Sequence, residues 1–121
     1  MSGFATLAMI NLDASDPAAQ ARFYAGVLGW EVLHSRDEYA MIGDGSTSIG
    51  FGQVPGYSAP GWPKESAPKR YHLDFYVDDL EKGEQQALAL GATKPDEQPT
   101  PDRWRVLLDP EGHPFDICLK S

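Results

Sequence analysis

An internal repeat organises this chain. The segment AMINLDASDPAAQARFYAGVLGWEV, beginning at Ala8, aligns with YHLDFYVDDLEKGEQQALALGATKP, beginning at Tyr71. Met9 falls on His72, Ile10 on Leu73, Leu12 on Phe75, Ala14 on Val77 and Asp16 on Asp79, each 63 positions apart. After one deletion, Leu28-Gly29 falls on Leu90-Gly91. Few residues are identical, so what repeats is a physical pattern: an alternating strand, an acidic helix start, a helix of about three turns, Leu-Gly, and another strand.

Each element has a local cause. In the first copy Ala8, Ile10, Leu12 and Ala14 share one strand face, and Met9, Asn11 and Asp13 share the other. Asp16-Pro17 supplies an N-cap carboxylate and a proline suited to the first helical position. Phe23, Val27 and Leu28 mark the packing face, and Gly29 can take the left-handed conformation that stops the helix. In the second copy Leu73, Phe75 and Val77 oppose His72, Asp74 and Tyr76. Asp78-x-x-Glu81 has the spacing of a capping box, and the helix ends at Gly91.

Further strands are expected at Trp30–Ser35, Glu38–Ile42 and Thr47–Val54, with a Gly43-Asp44-Gly45 turn between the last two. Thr93–Pro95, Trp104–Leu108 and Pro114–Leu119 take those parts in the second copy, with Asp109-Pro110-Glu111-Gly112 as the hairpin turn. Between the copies, prolines 55, 60, 63 and 68 forbid a helix or a central strand, leaving a linker or lid. The expected architecture is an α+β fold of two βαβββ modules. The expected division is module 1 at about 4–54, linker or lid 55–69 and module 2 at about 70–120, packed as a single domain over 1–121.

Composition narrows the partners. With 10 Lys+Arg against 18 Asp+Glu the net charge is −8, which disfavours nucleic acid and anionic membranes and permits a cationic ligand. The single cysteine, Cys118, cannot form an internal disulfide. The N-terminus lacks a basic region, and no window approaches the roughly 18 apolar residues of a membrane span, so the expected location is the cytoplasm.

These residues resemble the vicinal oxygen chelate superfamily, which includes glyoxalase I, bleomycin resistance proteins and extradiol dioxygenases. The matching motifs are Ser15-Asp16, Phe23-Tyr24, Val27-Leu28-Gly29, Tyr71-His72-Leu73-Asp74-Phe75, Val77-Asp78-Asp79-Leu80, Leu90-Gly91-Ala92 and Asp109-Pro110-Glu111-Gly112. Within the superfamily the chain looks most like short glyoxalase-like proteins of undefined activity. The resemblance implies that the modules curl into an open cup-shaped sheet, in a homodimer, with ligand held inside. It also places metal ligands at four cup-facing points, which here fall on Met9, Gly50, His72 and Asp116. A thioether and a glycine are a poor half of such a set, because a catalytic site needs three or more protein ligands and an open position. The expectation is a site with no metal and no other cofactor; a divalent metal is the alternative.

The remaining chemistry centres on His72. Asp116 could orient its imidazole for proton abstraction, as in a lyase or isomerase, or the two could form a structural ion pair. Lys64, Arg70, Arg103 and Arg105 are the candidates to stabilise a developing oxyanion, provided they face inward. The residues expected to line the ligand site are His72, Asp116, Asp74, Met9, Asn11 and Gly50, with Trp62 as a lid and Tyr57 beside it. Asp13, Ser48, Gly52 and Tyr76 share the same strand faces, and Cys118 follows the alternation of Asp116. Phe23 and Tyr24 are read as packing. The favoured function is therefore metal-free binding of a small cationic or aromatic molecule by a cytoplasmic homodimer.

Overall fold

The repeat appears as two strand–helix–strand runs in the computed structural model, which describes residues 3–64 and 71–120. These divide into two compact units between Tyr57 and Ser58, within the proline-rich segment.

In the first unit β1 (Ile10–Ala14) leads into α1 (Pro17–Leu28), followed by β2 (Glu31–Ser35), β3 (Tyr39–Gly43) and β4 (Ser48–Gln53). The sheet order is β1-β4-β3-β2, with β1 parallel to β4 and the other pairs antiparallel. Asp16 caps α1 by accepting a hydrogen bond from the Ala19 amide at 3.2 Å, and Gly29 ends it at φ 70°. Tyr24 stacks on Phe51 of β4 at 5.6 Å, and Phe23 meets Tyr24 edge-on at 4.9 Å. Leu12, Ala14, Ala40, Ile42, Ile49 and Phe51 complete this buried layer, so both aromatic residues of α1 are packing, as expected. The turn after β3 is held by Asp44, whose Oδ1 accepts from Ser46 and Thr47 amides at 2.8 and 2.7 Å. Those two bonds hold its carboxyl below the usual range.

The second unit contains β5 (Leu73–Val77), α2 (Leu80–Leu90), β6 (Trp104–Leu108) and β7 (Pro114–Leu119), in sheet order β5-β7-β6. β5 runs parallel to β7, and β6 runs antiparallel to it. Helix α2 packs against β6 and β7. On that side Arg105 reaches Glu84 at 3.0 Å and Glu81 at 3.1 Å, while Lys94 reaches Glu84 at 3.1 Å. Arg105 and Glu84 are largely buried, so each satisfies a charge that would otherwise be costly. The hairpin turn is ordered by Asp109, whose Oδ1 accepts from the Glu111 and His113 amides at 2.9 and 3.0 Å.

Two local expectations need correction. The N-cap of α2 is Asp79, which accepts from the Lys82 amide at 3.0 Å, and not Asp78. Pairing of β5 persists through Val77, so Asp78 is used in turning the chain. Glu81 then binds Arg105 instead of folding back as a capping box. The strand expected at Thr93–Pro95 is reduced to one bridge, Thr93 with Leu108. Prolines 95, 99 and 101 lack the amide protons a strand requires. In place of the missing ladder, the Gln98 amide donates to the Val106 carbonyl at 2.8 Å and accepts from the Val106 amide at 2.9 Å. Among the described residues no helix is long and apolar enough to cross a membrane.

Candidate functional site

Strand alternation separates the second sheet into two faces. Leu73, Phe75, Phe115, Ile117 and Arg105 lie on the α2 side, and Asp74, Asp116, Cys118 and Trp104 lie on the other. Register pairs Asp74 with Asp116, so the two carboxylates stand side by side on adjacent strands. His72, just before β5, brings its Nε2 to 3.2 Å from Asp116 Oδ2 and 3.3 Å from Asp74 Oδ1. Asp116 is buried, with 6% of its surface exposed, whereas Asp74 is open to solvent. A cavity of about 260 Å³ is lined by His72, Asp74, Trp104, Asp116 and Cys118.

Trp62 joins this arrangement within the second unit. Its indole stacks on His72 at 5.2 Å and lies nearly parallel to Trp104 at 6.3 Å. The sequence marked Trp62 as a lid, and it lies against two of the rings around the cavity. The Cys118 thiol donates to the Phe75 carbonyl at 3.5 Å. Burial, followed by the negative charges of Asp74 and Asp116, pushes the thiol pKa up. Cys118 is therefore protonated at neutral pH and a poor nucleophile.

The other expected residues gather in the first unit. Asn11 and Met41 flank Gly50 in register across β1, β4 and β3. A Cβ added to Gly50 would collide with Asn11 Oδ1 and lie 3.2 Å from Met9 Sδ. The Asn11 side chain occupies the space a side chain at position 50 would take. The Tyr39 hydroxyl donates to Met9 Sδ at 3.4 Å, so the thioether already serves as an acceptor. Each unit thus collects its own members of the expected set: Met9, Asn11 and Gly50 in the first, His72, Asp74, Asp116 and Trp62 in the second.

This geometry does not fit the four-point metal set that the resemblance implied. Its first half offers a hydrogen-bonded thioether and a position filled by a neighbouring amide. In the second unit the other half of that set, His72 and Asp116, is joined by Asp74, with one ligand atom from each of the three and all within 4.8 Å of one another.

Among the described residues, none of the cationic candidates lines this cavity. Arg105 faces α2 and is engaged with Glu81 and Glu84, which raise its pKa. Lys64 and Arg103 are exposed, and Arg70 lies outside the described residues. Asp13 and Tyr76 are on the expected faces but open to solvent. The His113 ring lies 3.0 Å from the Pro114 carbonyl and its backbone amide serves the hairpin turn.

Trp104 and Tyr39 are the residues that sequence reasoning missed. A signal for Trp104 was present: it lies seven residues before Glu111, and Cys118 lies seven after, so a hairpin centred on that turn pairs them. Tyr39 reaches Met9 through the register of three strands, which no local pattern encodes.

The comparisons with known proteins agree with this fold. A family model described as a glyoxalase-like domain matches residues 9–118. The chain belongs to that glyoxalase-like family, within the vicinal oxygen chelate superfamily. A glyoxalase/bleomycin resistance protein/dioxygenase family enzyme from Burkholderia phytofirmans PsJN is similar, with 27% identity, 93% of this chain and 97% of that one covered, and a TM-score of 0.67. A glyoxalase-related enzyme from Fulvimarina pelagi shares 22% identity over 95% of this chain and 88% of that one, with a TM-score of 0.64. The fosfomycin resistance protein FosX from Mesorhizobium loti shares the fold at 16% identity, 98% and 94% coverage and a TM-score of 0.68. No curated protein matches the chain.

Proposed function

We propose that the chain binds a small organic cation in the pocket of its second unit, without a metal, as a sequestering protein. The observation that carries this reading is the placement of Asp74 and Asp116 in one small aromatic-walled cavity, where their charges help to keep Cys118 protonated. Paired carboxylates attract a cation, and Trp104 and Trp62 offer faces for its apolar part. Arg105, one of the candidates to stabilise an oxyanion, is engaged with Glu81 and Glu84 on the α2 side, which favours binding over proton abstraction. One structural neighbour is a fosfomycin resistance protein, which is in keeping with a resistance role. A cytoplasmic homodimer is the assembly we attach to this reading, and the exposed Phe4 and Leu7 would be apolar surface for such an interface.

A second reading is favoured by the closeness of the His72, Asp74 and Asp116 ligand atoms. Those three would hold a divalent ion, which when bound supplies Lewis acidity for a lyase or isomerase. His72 would then be a ligand and not a free base.

Elemental analysis of purified protein after divalent loading, paired with thermal melts in n-butylammonium, separates the two. The proposal expects no stoichiometric metal and a melting temperature that climbs with cation concentration, stabilisation reaching about 2.7 kcal/mol at a hundred times Kd. One tightly held metal per chain, or a melting temperature indifferent to the cation, overturns it.

A further inference from the structure

The aromatic rings around the pocket are already in use by the chain itself. In register Trp104 stands opposite Cys118, and His72 directly precedes Leu73, the partner of Phe115. On the sheet the two residues are therefore two strands and four positions apart. At about 4.8 Å per strand and 3.3 Å per residue, their backbones lie roughly 16 Å from each other. Yet both rings meet the one indole of Trp62: His72 at 5.2 Å between centroids and 25° between planes, Trp104 at 6.3 Å and 14°. An indole in touch with two rings rooted so far apart bridges the gap between them, and it takes a face of each. His72 and Trp104 also line the cavity, so the space the indole fills adjoins it. What remains is about 260 Å³, below the roughly 300–1,000 Å³ of small-molecule pockets.

We infer that Trp62 is a built-in occupant that sets ligand size: seated, it restricts the pocket to small alkylammonium ions, and arylalkylammonium ions enter only by displacing it. The inference rests on the cation reading above and names the ligand class for it. Trp62 and Trp104 stay half-buried, which leaves surface for a short alkyl chain. A ring carried near the ammonium needs an aromatic face and more room, and the indole holds both. Ala59 and Pro63 seat the segment that carries Trp62. Ala59 lies against the hairpin turn, where a Cβ added to Gly112 would stand 3.1 Å from the Ala59 Cβ, and Pro63 is buried. The Lys64 amide donates to the Gly61 carbonyl at 3.1 Å, closing a turn around Trp62 and Pro63. Stacking contacts can be given up when a ligand supplies the same ones in exchange. A ligand that needs the vacated state then binds more weakly by the fraction of molecules in that state.

The test is calorimetric titration of n-butylammonium and 3-phenylpropylammonium into wild-type protein and Trp62→Ala. In the variant the affinity for 3-phenylpropylammonium should rise roughly tenfold or more while that for n-butylammonium stays within about threefold. Tenfold is the factor recovered when a state populated at about 10% or less becomes the only one. Trp62→Leu, which fills part of the space without an aromatic face, carries the same test should the alanine variant not fold. Saturating 3-phenylpropylammonium should also open wild-type tryptophan fluorescence to acrylamide quenching, a gain absent from Trp62→Ala. If n-butylammonium binds but the variant gains no affinity for the phenyl compound, or the wild type gains no quenching, Trp62 is a fixed wall. The inference is then overturned while the cation reading stands. If n-butylammonium binds neither protein, both fall.

Discussion

At the scale of single residues, the site depends on which neighbours each polar group was given. His72 has two carboxylates within 3.3 Å, and Cys118 has a thiol raised by burial and by the same two charges. The Cys118 shift makes the thiol a reporter that needs no ligand. Iodoacetamide alkylation followed against pH should show a midpoint above the ordinary thiol value of about 8.5, and Asp74→Asn with Asp116→Asn should move it down. An unchanged midpoint in that variant would mean that the two aspartates do not set the field. The linkage sign follows from the raised value. The thiol's contribution to stability is complete below its unfolded pKa and is lost as pH rises through the folded one. His72 and Asp74 were legible in the sequence because one alternating strand places them together, and Asp116 was set beside them by the family resemblance. The role of Asn11 in filling the space over Gly50 was not, because it depends on the register between two strands distant in sequence.

At the scale of elements, both helices and every strand but one followed from local chemistry. Asp16-Pro17 and Gly29 set α1, and alternation with turn residues set β3, β4, β6 and β7. The exception, Thr93–Pro95, shows what alternation omits. Pro95 and the prolines that follow at 99 and 101 prevent a ladder, and the edge of β6 is completed by a side-chain amide that copies a peptide group. Val106 is fully buried, so removing Gln98's amide leaves a buried N–H and a buried C=O without those partners. Gln98→Ala should therefore destabilise the protein by about 1–3 kcal/mol in urea denaturation. A loss under half a kilocalorie would show that water replaces the amide at no cost.

At the scale of the whole molecule, the charge of −8 is the property that the site most directly exploits. Among the described residues Asp74 and Asp116 are the acidic side chains that line the cavity, and the excess of carboxylates elsewhere acts at longer range as a field that favours cations and fades with salt. The repeat gave each unit the same strand–helix plan, but the two polar faces have diverged. The first unit presents a thioether, an amide, a glycine and the solvent-exposed Asp13; the second presents an imidazole, two carboxylates and a tryptophan. Ionisable side chains are concentrated in the second, and the account assigns binding to that unit. The most direct measurement is calorimetric titration of n-butylammonium into chelator-treated wild-type protein and into the Asp74→Asn, Asp116→Asn double variant. The account predicts binding by the wild type that survives chelation, weakens as salt rises, and drops at least roughly tenfold in the variant, as expected when charge-assisted partners are lost. Equal affinity in the variant, or wild-type binding abolished by the chelator, would contradict it.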